Sequence, residues 1–295
     1  MNKIIFHLHQ YKTGGKTLEG ILYRQYISKL LYINNLIPIN GNDLVSNRIE
    51  NLKNKKIFID YKAITGHMFF GAHRYFKDKE CHYITILRYP ITRAISYYYY
   101  MINSSHTDEI TKYILANKIS LDNFLTISKE EIYNFKLSLK SKEELEMILS
   151  NGQAKLIAGM EYISSDNLYD IAKANISNFF IHVGVTEKFD KSLVILAEKI
   201  ALKGKYFYFD SNVGNYSINQ GAYNNEISKN SIRIFNNNNL VDRKIHYEAM
   251  NYIDNEIESN KVYYQKKINK LNNKNSIQKI IRPAIIFLKK LIYNK

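Results

Sequence analysis

The stretch that decides the fold is "HLHQYKTGGKTLEGIL", His7 to Leu22. It closes a short apolar run that begins at Lys3 and opens an amphipathic helix over which Leu18, Ile21, Leu22 and Ile27 share one face. Between the two lies "KTGGKT". A strand, a Gly-rich turn and a helix start together form an anion cradle, because successive backbone N–H groups and the helix dipole point at whatever sits there. Gly14 and Gly15 let the backbone come close, Lys12 and Lys16 bring charge, and Thr17 brings a hydroxyl.

Working outward, the chain alternates strands and helices. Residues 3–9, 56–60, 82–88 ("HYITILR") and 179–185 ("FFIHVGV") read as strands, and residues 13 to about 31 as a loop and helix. Pro90 opens a helix, residues from about 104 to 173 are mainly helical with Ser120 as an N-cap and Gly159 as a stop, and "FDKSLVILAEKIAL" is amphipathic. This pattern predicts an α/β protein: a P-loop-like three-layer fold with a central parallel sheet flanked by helices. Residues 1–254 read as one domain. Residues 255–295 read as a polar helix or linker followed by a basic amphipathic tail, with Ile277, Ile280, Ile281, Ala284, Ile285, Leu288 and Leu291 at helical spacing. That apolar run is too short to span a bilayer; it fits a helix packed back on the domain, or one lying on an anionic membrane face.

Composition narrows the partners. The 295 residues are 45% hydrophobic and 23% charged, with a net charge of +15, which calls for an anionic partner. The single cysteine, Cys81, excludes an intramolecular disulfide and a Cys-based zinc site. The amino terminus does not read as a signal peptide, and the expected location is cytoplasmic; peripheral contact at the inner membrane face belongs to the second reading of the tail.

"KTGGKT" matches the end of the nucleotide-binding consensus G-x-x-x-x-G-K-[ST], but Gln10 stands where its first glycine belongs. "IFID", residues 57 to 60, could supply the acid that holds Mg²⁺ in an ATP-dependent kinase of a small molecule or nucleotide. A non-catalytic basic nucleic-acid-binding protein would need a recognised module of clustered basic and aromatic residues, and none is present. No nucleic-acid partner is therefore expected.

A second motif separates these readings. In "LRYPITRAISYY", residues 87 to 98, Arg88 ends a strand, where open α/β sheets place their ligands. Arg93, Ser96, Tyr97 and Tyr100 then follow on one helix face. Arg88 and Ser96 offer a charge-assisted fork and a hydroxyl to a terminal phosphate. A nucleotide phosphorylated at both ends needs two anion sites; ATP needs the first alone.

Four segments in order extend this into a family resemblance. "HQYKTGGKTL" is similar to the H-x-P-K-T-G-G-T-S-L signature of carbohydrate sulfotransferases related to heparan sulfate 2-O-sulfotransferase. "LRYPITRAISYY" resembles their L-R-[DE]-P-x-x-R-x-x-S-x-Y. "HVGVTEKFDKSL" resembles V-G-x-x-E-x-[FL]-x-x-S-L, and "NLVDRKIHYEAMNYI" the closing N-x-x-D-x-x-x-Y. The chain departs from the pattern at Tyr11 (Pro), Lys16 (Thr) and Tyr89 (Asp or Glu).

The resemblance implies a sulfotransferase using 3′-phosphoadenosine 5′-phosphosulfate (PAPS), with no metal required. Lys12, Thr13, Gly14, Gly15, Lys16 and Thr17 would hold the 5′-phosphosulfate, and Arg88 and Ser96 the 3′-phosphate. Lys12 would steady the charge on the bridging oxygen. "TGHMFFGAH" resembles the family's G-H-x-x-x-G segment, which makes His67 the candidate base, with His73 as backup and His9 structural. A base of ordinary histidine pKa implies a rate that rises with pH through the histidine range. The expected acceptor is a saccharide of a surface polysaccharide or glycolipid; the 25 tyrosines and the basic balance suit stacking and acidic sugars.

Overall fold

The computed structural model describes residues 3–33, 61–103, 108–204, 206–208 and 227–293. The strand and acid expected at 56–60 lie outside these residues.

Strand β1 (Lys3–Leu8) leads through the loop to helix α1 (Gly15–Tyr26), then to β2 (Leu30–Ile33), β3 (Ala63–Gly66) and β4 (Glu80–Leu87). Helix α2 (Pro90–Asn103) opens the helical region. It continues with α3 (Glu109–Ala116), α4 (Leu121–Thr126), α5 (Lys129–Asn134), α6 (Leu139–Leu149), α7 (Gly152–Ala158) and α8 (Leu168–Phe179). Strand β5 (Phe180–Val185) and α9 (Phe189–Lys199) follow, and α10 (Lys229–Asn238), α11 (Leu240–Ser259) and α12 (Lys261–Tyr293) close the described chain.

The five strands form one parallel sheet in the order β2-β3-β1-β4-β5. The α/β class and the flanking helices are as the sequence predicts. β1 is central, and its continuous apolar run is what a strand covered on both faces requires. Ile4, Phe6 and Leu8 pack with Ile33, Ile64 and Phe70 on one face, while Ile5 meets Leu18 and Leu22 of α1 on the other. The chain turns one way from β1 to β2 and β3, then crosses to β4. The carboxyl ends of β1 and β4, where Leu8 pairs with Thr85, therefore flank a topological switch point.

Two strands differ from the reading. "LLYI" (β2) follows α1 after Ile27 takes φ 43° and ends it, with neither glycine nor proline to mark the stop. β3 occupies the start of the segment "AITGHMFFGAH". Four-residue apolar runs of this kind carry too little periodicity to separate strand from helix end. Pro90 does open its helix, Ser120 caps α4 through the Asn123 amide, and Gly159 ends α7. The asparagine run 236–239 ends α10 and starts α11.

Helices α2 to α6 and Phe235 of α10 share a second apolar cluster. Helix α11 runs unbroken through residue 254, and Ile253, Ile257, Tyr264, Ile268 and Leu271 pack in one cluster with Val183 and Val185 of β5. Farther along α12, Ile277 and Ile281 are exposed. Among the described residues no helix is long and apolar enough to cross a membrane.

Among the buried polar groups that lack a partner, the His182 ring is a costly one. His182 of β5 is buried, and neither ring nitrogen reaches a partner in hydrogen-bonding geometry. Burial first, then the Lys199 charge, push its pKa down to about 3. The unfolded chain takes up this proton near pH 6.5 and the folded one does not, so stability falls as pH drops from about 6.5 towards 3. His182→Leu is expected to keep or raise the urea midpoint at pH 7 and to lose less of it at pH 4.5 than the wild type does.

Candidate active site

The loop between β1 and α1 is shaped by its neighbours. Gly14 adopts φ 81° at the N-cap position and offers no side-chain cap, so the amides of Gly15 and Lys16 have no backbone acceptor among the described residues. A Cβ on Gly15 would lie 2.0 Å from the ring of His9, so the second glycine is fixed by the histidine beneath it. That ring is buried, pairs through Nδ1 with Glu19 at 3.1 Å, and stacks on His7 and His67. His9 is thus the floor under the loop.

The other residues of the first motif divide. Thr13 is buried and turned inward, its hydroxyl donating to the Gln10 carbonyl at 3.1 Å. Its own carbonyl accepts from the Thr186 hydroxyl at 2.8 Å. Lys16 is exposed, and its ammonium pairs with Glu19 at 3.2 Å, one turn along the helix. Thr17 is half-buried on the first turn, with its amide donating to the Gly14 carbonyl.

Lys12 takes φ 60° at the top of the loop and sets its ammonium 4.1 Å from the ring centre of Tyr100. Burial, then the nearby Arg88 guanidinium, lower its pKa to about 8. The charged form of Lys12 would favour an anion at the cradle, and that charge is lost as pH rises through about 8 rather than above 10. Affinity for a nucleotide phosphate is therefore expected to fall between pH 7 and 9. Titration calorimetry across that range checks this, and Lys12→Ala should flatten the profile.

Arg88 lies directly after β4. Its Nη1 donates to the Lys12 carbonyl at 3.1 Å and its Nε to the Thr92 hydroxyl at 3.3 Å, so the two motifs meet at the loop. Ser96, two turns along α2, is half-buried and has no hydrogen-bond partner among the described residues. Arg93 is different in kind. It is buried, donates to the carbonyls of Met147 and Ile148, and approaches Asp242 at 3.7 Å, which makes it a tie between α2, α6 and α11.

His67 follows Gly66, the last residue of β3. A Cβ at Gly66 would lie 1.7 Å from the Ile33 carbonyl oxygen, so glycine there lets β3 run close against β2 and deliver the histidine to the loop. The His67 ring is held between His9 and Tyr11, with centroids 4.4 and 4.1 Å away, and its Nδ1 lies 2.7 Å from the His9 carbonyl. A carbonyl accepts only, so Nδ1 carries the proton and Nε2 carries the lone pair. Burial first, then the charge on His9, lower its pKa to about 4. The rise in rate through the ordinary histidine range expected from the sequence is thereby corrected: a desolvated imidazole is already neutral there. His73 sits elsewhere, its Nδ1 at 3.1 Å from the Tyr83 hydroxyl and its ring on Phe179, in the aromatic cluster over the amino-terminal half of β4 and β5.

The sequence reading missed the groups that fasten this edge. Glu187 of the third motif accepts from the Tyr89 amide at 2.7 Å and pairs with His246. A carboxylate thus reaches residue 89 from a distance, where the motif would have had one in the side chain. Asp242 of the fourth motif accepts from the amides of Gln153 and Ala154, and Asn239 from that of Asn151, so this motif holds the start of α7. On the loop's other side, Glu144 accepts from the Tyr97 hydroxyl at 2.7 Å, and burial raises its pKa. These long-range ties carried no local signal in the sequence.

No family model matches the chain. No curated protein matches it either. Among solved structures the chain is similar to the crystal structure of mouse sulfotransferase SULT7A1 complexed with PAP, at 16% identity, over 69% of this chain and 60% of that one, with a TM-score of 0.35. The chain thus spans less than two thirds of the protein it resembles, and a likeness at that level carries no argument about activity.

Proposed function

We propose that the protein is a sulfotransferase that moves the sulfuryl group of PAPS onto a hydroxyl of a saccharide. The observation that carries this reading is the 3.1 Å hydrogen bond from Arg88 to the Lys12 carbonyl, which sets the second cationic group beside the loop instead of on a remote surface. The amides of Gly15 and Lys16 suit a 5′-phosphate, and Arg88 with Ser96 suits a 3′-phosphate. The residues fit a nucleotide charged at both ends.

The bound nucleotide supplies an activated sulfuryl group on a phosphate leaving group. Lys12 holds the negative charge on the bridging oxygen as the O–S bond breaks. His67, with its lone pair on Nε2, takes the proton of the acceptor hydroxyl as that oxygen bonds to sulfur. Tyr100 stands next to Lys12, is exposed, and offers its ring to a sugar. We place the acceptor in a surface polysaccharide or glycolipid and the enzyme in the cytoplasm.

Arg88→Ala tests the reading. Charged hydrogen bonds are worth roughly 1.5–3 kcal/mol, so affinity for adenosine 3′,5′-bisphosphate should fall about 10- to 100-fold. Affinity for adenosine 5′-phosphate should change little. Calorimetry on both ligands decides it, and an equal penalty for the two removes the 3′ assignment.

A further inference from the structure

We infer that Gln153 is the positioning residue that holds Arg88 in register with the loop at Gly14 and Gly15, and so sets selectivity for a nucleotide phosphorylated at both ends. This rests on the function proposed above and deepens it. β4 ends at Leu87, which pairs with Val185. The ladder stops there, and the amide and carbonyl of Arg88 need other partners. The Gln153 side chain supplies both: Oε1 accepts from the Arg88 amide and Nε2 donates to the Arg88 carbonyl, each at 2.9 Å. This two-way exchange imitates a neighbouring strand and fixes the backbone of Arg88, leaving the guanidinium to reach forward.

Gln153 is itself locked. It is 1% exposed, its amide donates to Asp242 Oδ2 at 3.1 Å, and the second hydrogen of Nε2 goes to the same oxygen at 3.3 Å. Its carbonyl accepts from Gln10 Nε2 at 3.4 Å, directly before Tyr11 and Lys12 of the loop. One buried residue therefore touches the first, second and fourth motif segments. Gln10, which looks in the sequence like a lost glycine, is the loop's end of this tie. Both hydrogens of Gln153 Nε2 and its Oε1 are engaged by protein groups and the residue is buried, so it acts through Arg88 and not on a ligand.

A merely structural glutamine would lower stability and weaken all ligands alike. A positioning one should weaken only those that use Arg88. The test is a double-mutant cycle of Gln153→Leu and Arg88→Ala, with calorimetric titration of adenosine 3′,5′-bisphosphate and adenosine 5′-phosphate. Gln153→Leu should cost roughly tenfold for the bisphosphate and less than about twofold for the 5′-phosphate. Once Arg88→Ala is present it should cost nothing further. Equal losses for both ligands, or a full added loss on top of Arg88→Ala, overturn the proposal.

A second measurement needs no variant. In wild type, amide hydrogen exchange at Arg88 should be as slow as at the paired residues of β4; exchange at the rate of an open loop overturns the clamp. If wild type bound neither nucleotide, the sulfotransferase reading and the selectivity would fail together, while the exchange rate still decided whether Gln153 clamps the backbone of Arg88.

Discussion

Lys12→Ala is expected to lower turnover by roughly 10²- to 10³-fold, the usual loss when one donor to a developing oxyanion is removed. The reason is its position. Lys12 stands at the crest of the loop, with its ammonium over the Tyr100 ring and its carbonyl held by Arg88. Lys16 is engaged with Glu19 and cannot replace it without breaking that pair. The cradle should survive, since its amides belong to Gly15 and Lys16, so affinity for adenosine 5′-phosphate should drop far less than turnover. Single-turnover rates with saturating nucleotide separate the two effects. If Lys12→Ala turned over normally while Lys16→Ala was inactive, the two lysines would exchange roles.

The second large effect is at His67. His67→Ala should reduce turnover by roughly 10²- to 10⁴-fold, the range for a positioned base, while leaving nucleotide affinity nearly intact. Its pKa near 4 fixes the pH dependence. The neutral form is the base, so wild-type turnover should be flat in His67 from about pH 8 down to pH 5.5 and fall as pH approaches 4. The variant should lose that acid limb. His67→Asn at pH 7 separates catalysis from packing: it can keep the hydrogen bond to the His9 carbonyl but has no basic nitrogen. A variant that stayed folded and active would remove His67 from the mechanism and leave Glu144, the buried-side carboxylate beside Tyr97, as the next group to test.

How much of this was legible follows from range. β1, β4 and β5 are apolar runs next to turn or helix signals, and each announces itself within its own few residues. The loop is also local, since glycines, lysines and threonines in a row after a strand have few other uses. β2 and β3 are four residues each and take their identity from pairing with each other and with β1, a tertiary fact. The site divides in the same way. Arg88 at a strand end and Ser96 two turns into the next helix could be placed from spacing alone. Arg93 shares that helix face but is swallowed by α6 and α11, because nothing in its spacing tells which neighbour will cover it. The pKa of His67 depends on two flanking rings and one carbonyl, and Gln153 is defined by partners 65 and 89 residues away. His67 was found through the motif it resembles; Gln153 had no motif to reveal it.

The central claim is that the site takes a nucleotide charged at both ends. The most direct measurement is calorimetric titration of the wild-type protein with adenosine 3′,5′-bisphosphate, adenosine 5′-phosphate and ATP–Mg²⁺ at pH 7. Adenosine 3′,5′-bisphosphate should bind tightest, by roughly 10-fold or more over adenosine 5′-phosphate, which is the worth of the charged hydrogen bonds at Arg88. Tighter binding of ATP–Mg²⁺, or no preference between the two adenosine phosphates, would contradict it.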